Sequence, residues 1–373
     1  VTDRCNAECP ACLRSIKGGP VKSFVTNTEL GLSHFRDHLG TDFCSNIHTW
    51  NFCGNVGDPS NAHELIDIIQ FLFECNPDVF IDIRTNGGAR NETFWRDLGR
   101  LFKDKRHGGV IWSIDGLEDT NHIYRKNVKW AKLWRNFTAY FEEAGNRGEW
   151  EFLKFKHNMH QITEIKQICN NYNIPLTVKD PHGFMYDHDN KTVYKINVYD
   201  RTPDNDGLHQ KLYTIEPAEH ELGYSIEELD DEAIPADQST VEEGCFNYNS
   251  VELFLSNNSV EYISCIAAKN NSIFLDSDGS VYPCCFHSSK LKLNDIQLKS
   301  MYQEYNIVLS DDNRIQDILS TELFDSLLLQ GIEGNLSAEH SVGSISHCAT
   351  CVDSCTANLE HNSLLSLVDI TDK

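Results

Sequence analysis

The chain has 373 residues, 40% hydrophobic and 24% charged, with 32 Lys and Arg against 56 Asp and Glu, a formal net charge of −24. Such a length buries a large core and fits two domains better than one, while the negative surface repels phosphate backbones and anionic membranes and makes nucleic acid a poor partner. No apolar run approaches the roughly 18 residues of a membrane span and no signal peptide is visible, so a cytoplasmic protein is expected.

The chain opens on "TDRCNAECPACLR", which sets Cys5, Cys9 and Cys12 in a CxxxCxxC spacing. β-rich runs and helical patterns then alternate. "IHTWNFC" reads as a strand, and "NAHELIDIIQFLFE" as a helix with Asn61 as N-cap, Glu64 closing a capping box, and Leu65, Ile68, Ile69 and Leu72 on one face. "VFIDIRTNGG" is a second strand, "ETFWRDLGRLF" a helix and "GVIWSIDG" a third strand. The next helix, "WAKLWRNFTAYFEEAG", puts Trp130, Leu133, Trp134, Phe137 and Phe141 on one face and ends at Gly145. "EWEFLKFKHN" and "IPLTVK" add two strands around a helix near Thr163 to Asn171. This order predicts an α/β fold with a parallel sheet, doubly wound or barrel-like, whose chemistry gathers at the C-terminal strand ends. A further strand before the cysteines, reduced to Val1 and Thr2 or lost upstream, would make six βα units, a partial barrel.

From Asp187 to Gly244 the texture turns acidic and poorly periodic, an expected linker or inserted lobe with a hairpin at "TVYKINVY". The expected domains are therefore 1–186, the linker 187–244, and 245–373. In the last, "SIFLDSDGSVYPCC" reads as a hairpin turning at Asp278 and Gly279.

Fourteen cysteines in a chain without a secretion signal argue against a disulfide scaffold. Cys44, Cys53, Cys75 and Cys169 stand singly in or beside apolar segments and read as buried small hydrophobes. The others cluster at metal-ligand spacing. Three thiols in one short loop suit a 4Fe-4S cube that leaves one iron without a protein ligand. Zinc is the rival, though a structural zinc site wants a fourth ligand nearby.

CxxxCxxC in a loop after the first strand of a partial (β/α)6 barrel resembles the radical S-adenosylmethionine superfamily. "GNVGDP", directly after "IHTWNFC", which is the second strand when the one before the cysteines is counted, is similar to the family's glycine loop that meets the amino group of S-adenosylmethionine, which implies Gly54, Asn55, Gly57 and Asp58 as cofactor-binding residues. "RTNGG" and "SIDG" resemble the strand ends that bind the ribose and methionine portions, implying Asn86 and Ser113 with Asp115 and Arg125 beside them. The spacing of Cys265, Gly279 and Cys284, followed by "CATC", resembles the twitch or SPASM extensions that hold auxiliary 4Fe-4S clusters. One cluster on Cys265, Cys284, Cys348 and Cys351 is implied, with Cys355 as a substitute ligand and Cys285 outside the set. A zinc ribbon is the alternative for these cysteines.

The resemblance implies reductive cleavage of S-adenosylmethionine to a 5′-deoxyadenosyl radical that abstracts hydrogen from a substrate carbon, with an electron donor such as flavodoxin or ferredoxin. Modification of a peptide or protein is the first expectation, and dehydrogenation or rearrangement of a small metabolite the second. A two-cluster electron carrier and a zinc-bound interaction module are the readings from other classes. No general acid or base is assigned.

Overall fold

The computed structural model describes residues 1–181, 183–187, 190–218, 224–229, 234–235, 272–292, 299 and 302–325. The chain divides into two compact units, Val1–Val241 and Glu242–Lys373.

The first unit is built on five parallel strands, β1 (Thr49–Phe52), β2 (Phe80–Thr85), β3 (Gly109–Ser113), β4 (Gly148–Leu153) and β5 (Leu176–Lys179), hydrogen-bonded in chain order. Sequential order with helical crossovers is the winding of a (β/α) barrel and not of a doubly wound sheet, whose order reverses at a switch point. These are the five strands expected after the cysteine loop. Thr2 makes a lone antiparallel bridge to Glu29, so Val1 and Thr2 add no sixth parallel ladder among the described residues.

The helices follow their apolar faces. They are α1 (Thr41–Asn46), α2 (Leu65–Cys75), α3 (Glu92–Phe102), α4 (Asn121–Tyr124), α5 (Trp130–Ala144) and α6 (Ile162–Tyr172). Helix α3 starts at Asn91, whose side chain accepts the Phe94 N–H at 3.1 Å, and α5 stops at Gly145, where φ is +67°. Their buried faces meet the sheet in an aromatic cluster: Trp112 of β3 lies 4.7 Å from Trp95 and 5.1 Å from Phe137, which also packs 5.5 Å from Trp150 of β4. Edge-to-face and tilted pairs at these separations add to the burial of the rings.

Two local expectations are corrected. Helix α2 begins at Leu65 with Glu64 as its cap position and no side-chain cap, not at Asn61. Residues Pro59–Asn61 form a 3-10 turn capped by Asp58, which has taken the local donors, and the Glu64 carboxylate accepts the N–H of Leu32 at 2.8 Å. Nor is "TVYKINVY" a hairpin. After β6 (Met185–Asp187), strand β7 (Thr192–Tyr194) pairs with β6 and with β11 (Ser225–Glu227), whereas β8 (Ile196–Tyr199) pairs with β10 (Lys211–Ile215). Only Lys195 separates β7 from β8, too little for a reversal, so each pairs elsewhere. Strands β9 (Leu208–His209) and β12 (Ile234–Pro235) form a further short ladder.

The two faces of the main sheet differ. Ile81, Ile83, Val110, Trp112, Trp150 and Phe152 are fully buried beneath the helices. The opposite face carries Asn51, Asp82, Arg84, Glu149, Glu151 and Lys179, all partly or fully exposed, around the buried Ile111 of β3. Glu151 pairs with Lys179, and its Oε1 lies 3.8 Å from Arg84. Parallel strands covered on both sides normally read as continuous apolar runs, so this alternation marks a largely polar face.

In the second unit, β13 (Phe274–Leu275) and β14 (Val281–Tyr282) form the expected hairpin, with Gly279 at φ +88° in its turn, followed by α7 (Cys285–Lys292), α8 (Ile315–Leu319) and α9 (Glu322–Asp325). Among the described residues no helix is long and apolar enough to cross a membrane.

On the polar face, burial pushes the Asp82 carboxyl from 3.8 up to about 6, against the pull of Arg84. A carboxyl with a raised folded pKa stabilises the fold fully only below its unfolded value, and that contribution is lost as pH rises from about 4 to about 6. Asp82→Asn should therefore gain about 1 to 2 kcal/mol on the wild type across this window, allowing for solvent screening. Urea unfolding of both proteins at several pH values reads the difference, and a flat difference would contradict the burial.

Candidate functional site

The three N-terminal cysteines lie on a loop against the C-terminal ends of β1, β2 and β3. Cys9 is buried, while Cys5 and Cys12 are partly exposed. The loop is turned by the Cys12 N–H donating to the Cys9 carbonyl at 3.1 Å and the Ser15 N–H to that of Cys12 at 3.3 Å. Donors from three elements point at its sulfurs. The Ala7 N–H reaches Cys5 Sγ at 3.4 Å, the Asn86 amide reaches the same sulfur at 3.6 Å, and the Arg125 guanidinium reaches Cys9 Sγ at 3.8 Å. Burial, then the Asp58 charge and the neighbouring thiols, pushes the Cys5 thiol up. Burial also pushes Cys9 to about 11, with Arg125 pulling the other way.

Among the described residues, no three His, Cys, Asp or Glu side chains gather closely enough to chelate a single ion. N–H donors to sulfur are what an iron-sulfur cluster uses. The donor set therefore fits an iron-sulfur cluster.

The loop after β1 presses directly on the cysteine segment. A Cβ on Gly57 would sit 1.9 Å from the Thr2 carbonyl oxygen, and one on Gly54 would sit 1.7 Å from that of Gly57. No side chain fits at either position, which is how a backbone gets this close to its neighbour. The Asp58 N–H donates to the Arg4 carbonyl at 2.8 Å, and Arg14 spans the two loops by donating to the carbonyls of Asp3 at 2.5 Å and Val56 at 2.8 Å.

Asp58 is 4% exposed and its carboxylate is filled by protein donors. It accepts the Ser60 N–H and hydroxyl at 2.9 and 2.6 Å, the Thr85 hydroxyl at 3.0 Å, and the Asn86 N–H and side-chain amide at 2.7 and 2.6 Å. Asn86 also exchanges amide hydrogen bonds with Asn6 at 3.1 Å in both directions. The two residues thus brace the site from within. By contrast, the side chains of Asn55 and Ser113 make no hydrogen bond among the described residues and are partly exposed beside it.

Asp115 is fully buried after β3. Its Oδ2 accepts Arg125 Nε at 2.5 Å and its Oδ1 accepts the Leu153 N–H at 2.7 Å. Burial works against the Arg125 cation, yet the Asp115 carboxylate holds the guanidinium pKa above its ordinary value. Arg125 therefore bridges a buried carboxylate and a cysteine sulfur.

Asn6, Glu8 and Arg14 lie in the quoted cysteine stretch and were assigned nothing from sequence. The signal available was polarity: long polar side chains in a short loop between ligands have backbone carbonyls and neighbouring loops to satisfy. Cys44 and Cys169 are buried as expected of packing residues, whereas Cys53 and Cys75 are partly exposed.

In the second unit, Cys284 and Cys285 follow β14, and Cys285 opens α7. The hairpin is tied to that helix by the buried Asp276, which accepts Lys292 Nζ at 2.6 Å and the Ser288 hydroxyl. The other auxiliary candidates, Cys265, Cys348, Cys351 and Cys355, lie outside the described residues.

A comparison with curated protein sequences finds none that matches. Among solved structures the chain is similar to SuiB of Streptococcus suis bound to S-adenosylmethionine, at 12% identity over 88% of this chain and 66% of that one, with a TM-score of 0.49. SuiB bound to the precursor peptide SuiA gives 14% identity, 88% and 65% coverage and a TM-score of 0.49. The structure of anSMEcpe with bound AdoMet gives 14% identity, 87% and 76% coverage and 0.45. The chain thus spans slightly less than two thirds of the length of SuiB. The family of iron-sulfur cluster-binding domains called SPASM matches residues 265–355, a span that begins and ends on cysteines already singled out. From Cys265 to Cys355 the chain is therefore similar to the iron-sulfur cluster-binding domains of the SPASM family.

Proposed function

We propose that the chain is a radical S-adenosylmethionine enzyme that modifies a peptide or protein. The observation that carries this reading is the cysteine loop itself: three thiols at the C-terminal rim of a parallel (β/α) sheet, with N–H donors from Ala7, Asn86 and Arg125 aimed at sulfur. The SPASM domain supports it by adding a second iron-sulfur site. When bound, the cluster and S-adenosylmethionine supply a 5′-deoxyadenosyl radical that takes a hydrogen atom from a substrate carbon.

The chain's own residues bind and orient. Cys5, Cys9 and Cys12 are the cluster ligands, and Asn86, Asp58 and Arg14 keep their loop against the strand ends. The backbone from Gly54 to Asp58 and the unengaged side chains of Asn55 and Ser113 are the contacts for the cofactor, with the Asp115–Arg125 pair beside them. Cys265, Cys284, Cys348 and Cys351 hold the auxiliary cluster, with Cys355 in reserve, and an electron enters from a flavodoxin or ferredoxin.

The polar face of the sheet supports a hydrophilic substrate. Ser113 and Glu151 are neighbours in the register of β3 and β4, so the cofactor contact and the charged row share an edge. Two cations share Glu151 Oε1, and Oε2 has no hydrogen-bond partner among the described residues. A peptide, with donors and acceptors along its backbone, suits such a surface.

Metal content separates this reading from the zinc-bound module. Anaerobic reconstitution should give about eight irons per chain, the content of two 4Fe-4S cubes. The combined Cys5→Ala, Cys9→Ala, Cys12→Ala variant should keep about half of them and form no 5′-deoxyadenosine under strong reductant. Retained cleavage in that variant would rule out the assignment, and zinc without iron in the wild type would favour the binding module.

A Cys265→Ala, Cys284→Ala variant should still cleave the cofactor but fail to complete turnover. Mass spectrometry of any short peptide encoded beside the gene, co-expressed with the enzyme, reads that turnover. An unmodified peptide with the wild type would leave the small-metabolite reading in its place.

A further inference from the structure

The acidic segment after β5 has no part in the chemistry above, yet its described residues lie against the cysteine loop. Strand β8 supplies the contacts. The Tyr199 N–H donates to the Lys17 carbonyl at 3.1 Å, and a Cβ on Gly19 would meet the Asp200 carbonyl oxygen and Tyr199 Cβ, both at 3.2 Å. Gly183 approaches Ala11, between two of the cysteines, so closely that its Cβ would lie 2.4 Å from that of Ala11. The hydroxyl of Tyr213, on β10, donates to the Ile123 carbonyl at 2.8 Å, close enough to Cys9 and Glu8 to be affected by their charge.

Glu8 is the centre of these contacts. It lies between Cys5 and Cys9, its side chain is 15% exposed, and its two carboxylate oxygens are held by cations from two other segments. Oε1 accepts Arg201 at 2.9 Å, across 193 residues of sequence. Oε2 lies 3.4 Å from Lys126 Nζ, which also donates to the carbonyls of Gly18 at 3.0 Å and Tyr199 at 2.7 Å. An ammonium has three protons, and here three acceptors surround it. The Glu8 N–H donates in turn to the Lys126 carbonyl at 2.9 Å.

The three ligands are thus fixed from different sides. Cys5 is held by Asn86 and by the Asp58 to Arg4 bond, and the chain beyond Cys12 by Arg14. Cys9, the middle ligand, follows directly after Glu8, so its backbone is fixed through the Glu8 and Lys126 contacts. We propose that Arg201 and Lys126, acting through Glu8, are positioning residues that clamp the cysteine loop in its ligating conformation, which makes the segment after β5 a retaining strap for the N-terminal cluster.

The inference rests on the iron-sulfur reading of the loop, and the experiment separates the two. Full-length protein is reconstituted anaerobically and iron release to a ferrous chelator is followed with time. The wild type should release both of its iron pools slowly. Arg201→Ala and Lys126→Met should each release about half of their iron about tenfold faster and the other half at the wild-type rate, because removing either cation leaves the partly buried Glu8 carboxylate held from one side only. Arg201→Lys should return most of the retention, and Arg100→Ala, which breaks surface pairs with Asp97 on α3 and Glu143 on α5, should behave as wild type. The electron paramagnetic resonance signal that S-adenosylmethionine perturbs should be the one that fades in the fast pool.

Unchanged release in both variants would overturn the clamp, as would equal acceleration of both pools, which is the mark of general unfolding. A wild-type chain that takes up no iron would overturn the reading beneath it.

Discussion

A single buried carboxylate joins the parts of this site. Asp58 follows β1, accepts donors from Thr85 and Asn86 at the end of β2, and through its own N–H holds Arg4 next to the first cysteine. Burying a charge is costly unless donors replace its hydration, and here two N–H groups, two hydroxyls and a side-chain amide do so. The consequence is geometric. The two strand ends cannot drift apart without stripping a buried anion of its partners, and the cysteine loop cannot leave them without breaking the Asp58 N–H bond to Arg4. Gly54 and Gly57 serve the same end from the steric side, because nothing larger than hydrogen lets the backbones approach this closely.

The sheet beneath follows a different rule from most parallel sheets. Its helix-covered face is a continuous aromatic and aliphatic layer, and that layer supplies the burial that stabilises the unit. Freed from that duty, the other face carries charge. Glu151, Arg84 and Lys179 neutralise one another in part, and Ser113 stands one strand away at the rim. A sheet that commits one face to stability and leaves the other polar keeps a surface open to a polar ligand, with Ser113 at its rim.

Legibility in the sequence tracked the range of the interactions involved. Helices α3 and α5 could be read closely because their signals are local: an Asn before the first turn, a Gly after the last, and an apolar face in register. The hairpin at Gly279 was legible for the same reason. The start of α2 was not, because Asp58 captured the turn at Pro59–Asn61 for a purpose set by β2, 27 residues away from it at Thr85. "TVYKINVY" failed likewise: its two halves alternate as strands should, but their partners lie beyond the segment. At the site, Cys5, Cys9 and Cys12 announce themselves by spacing. That Asn86 and Asp58 support the loop, with Asn6 paired across 80 residues, is tertiary information no window could contain.

The electrostatics of the loop bear on what it is built to hold. Burial favours neutral thiols, and the Asp58 carboxylate strengthens that preference at Cys5. Arg125 opposes it at Cys9, but burial still dominates there. At Cys5 and Cys9 the surroundings therefore do not stabilise bare thiolates, and a reactive, exposed nucleophile is a poor description of either. What they do supply is N–H groups directed at sulfur, and these are of use once the protons have gone. Loss of those protons is coupled to metal binding, since a cationic centre offsets at close range the desolvation that otherwise forbids the anion. Backbone glycines, a filled carboxylate and donors aimed at sulfur are thus one arrangement, in which the loop's shape is set by the protein and its charge would be completed by the proposed cluster.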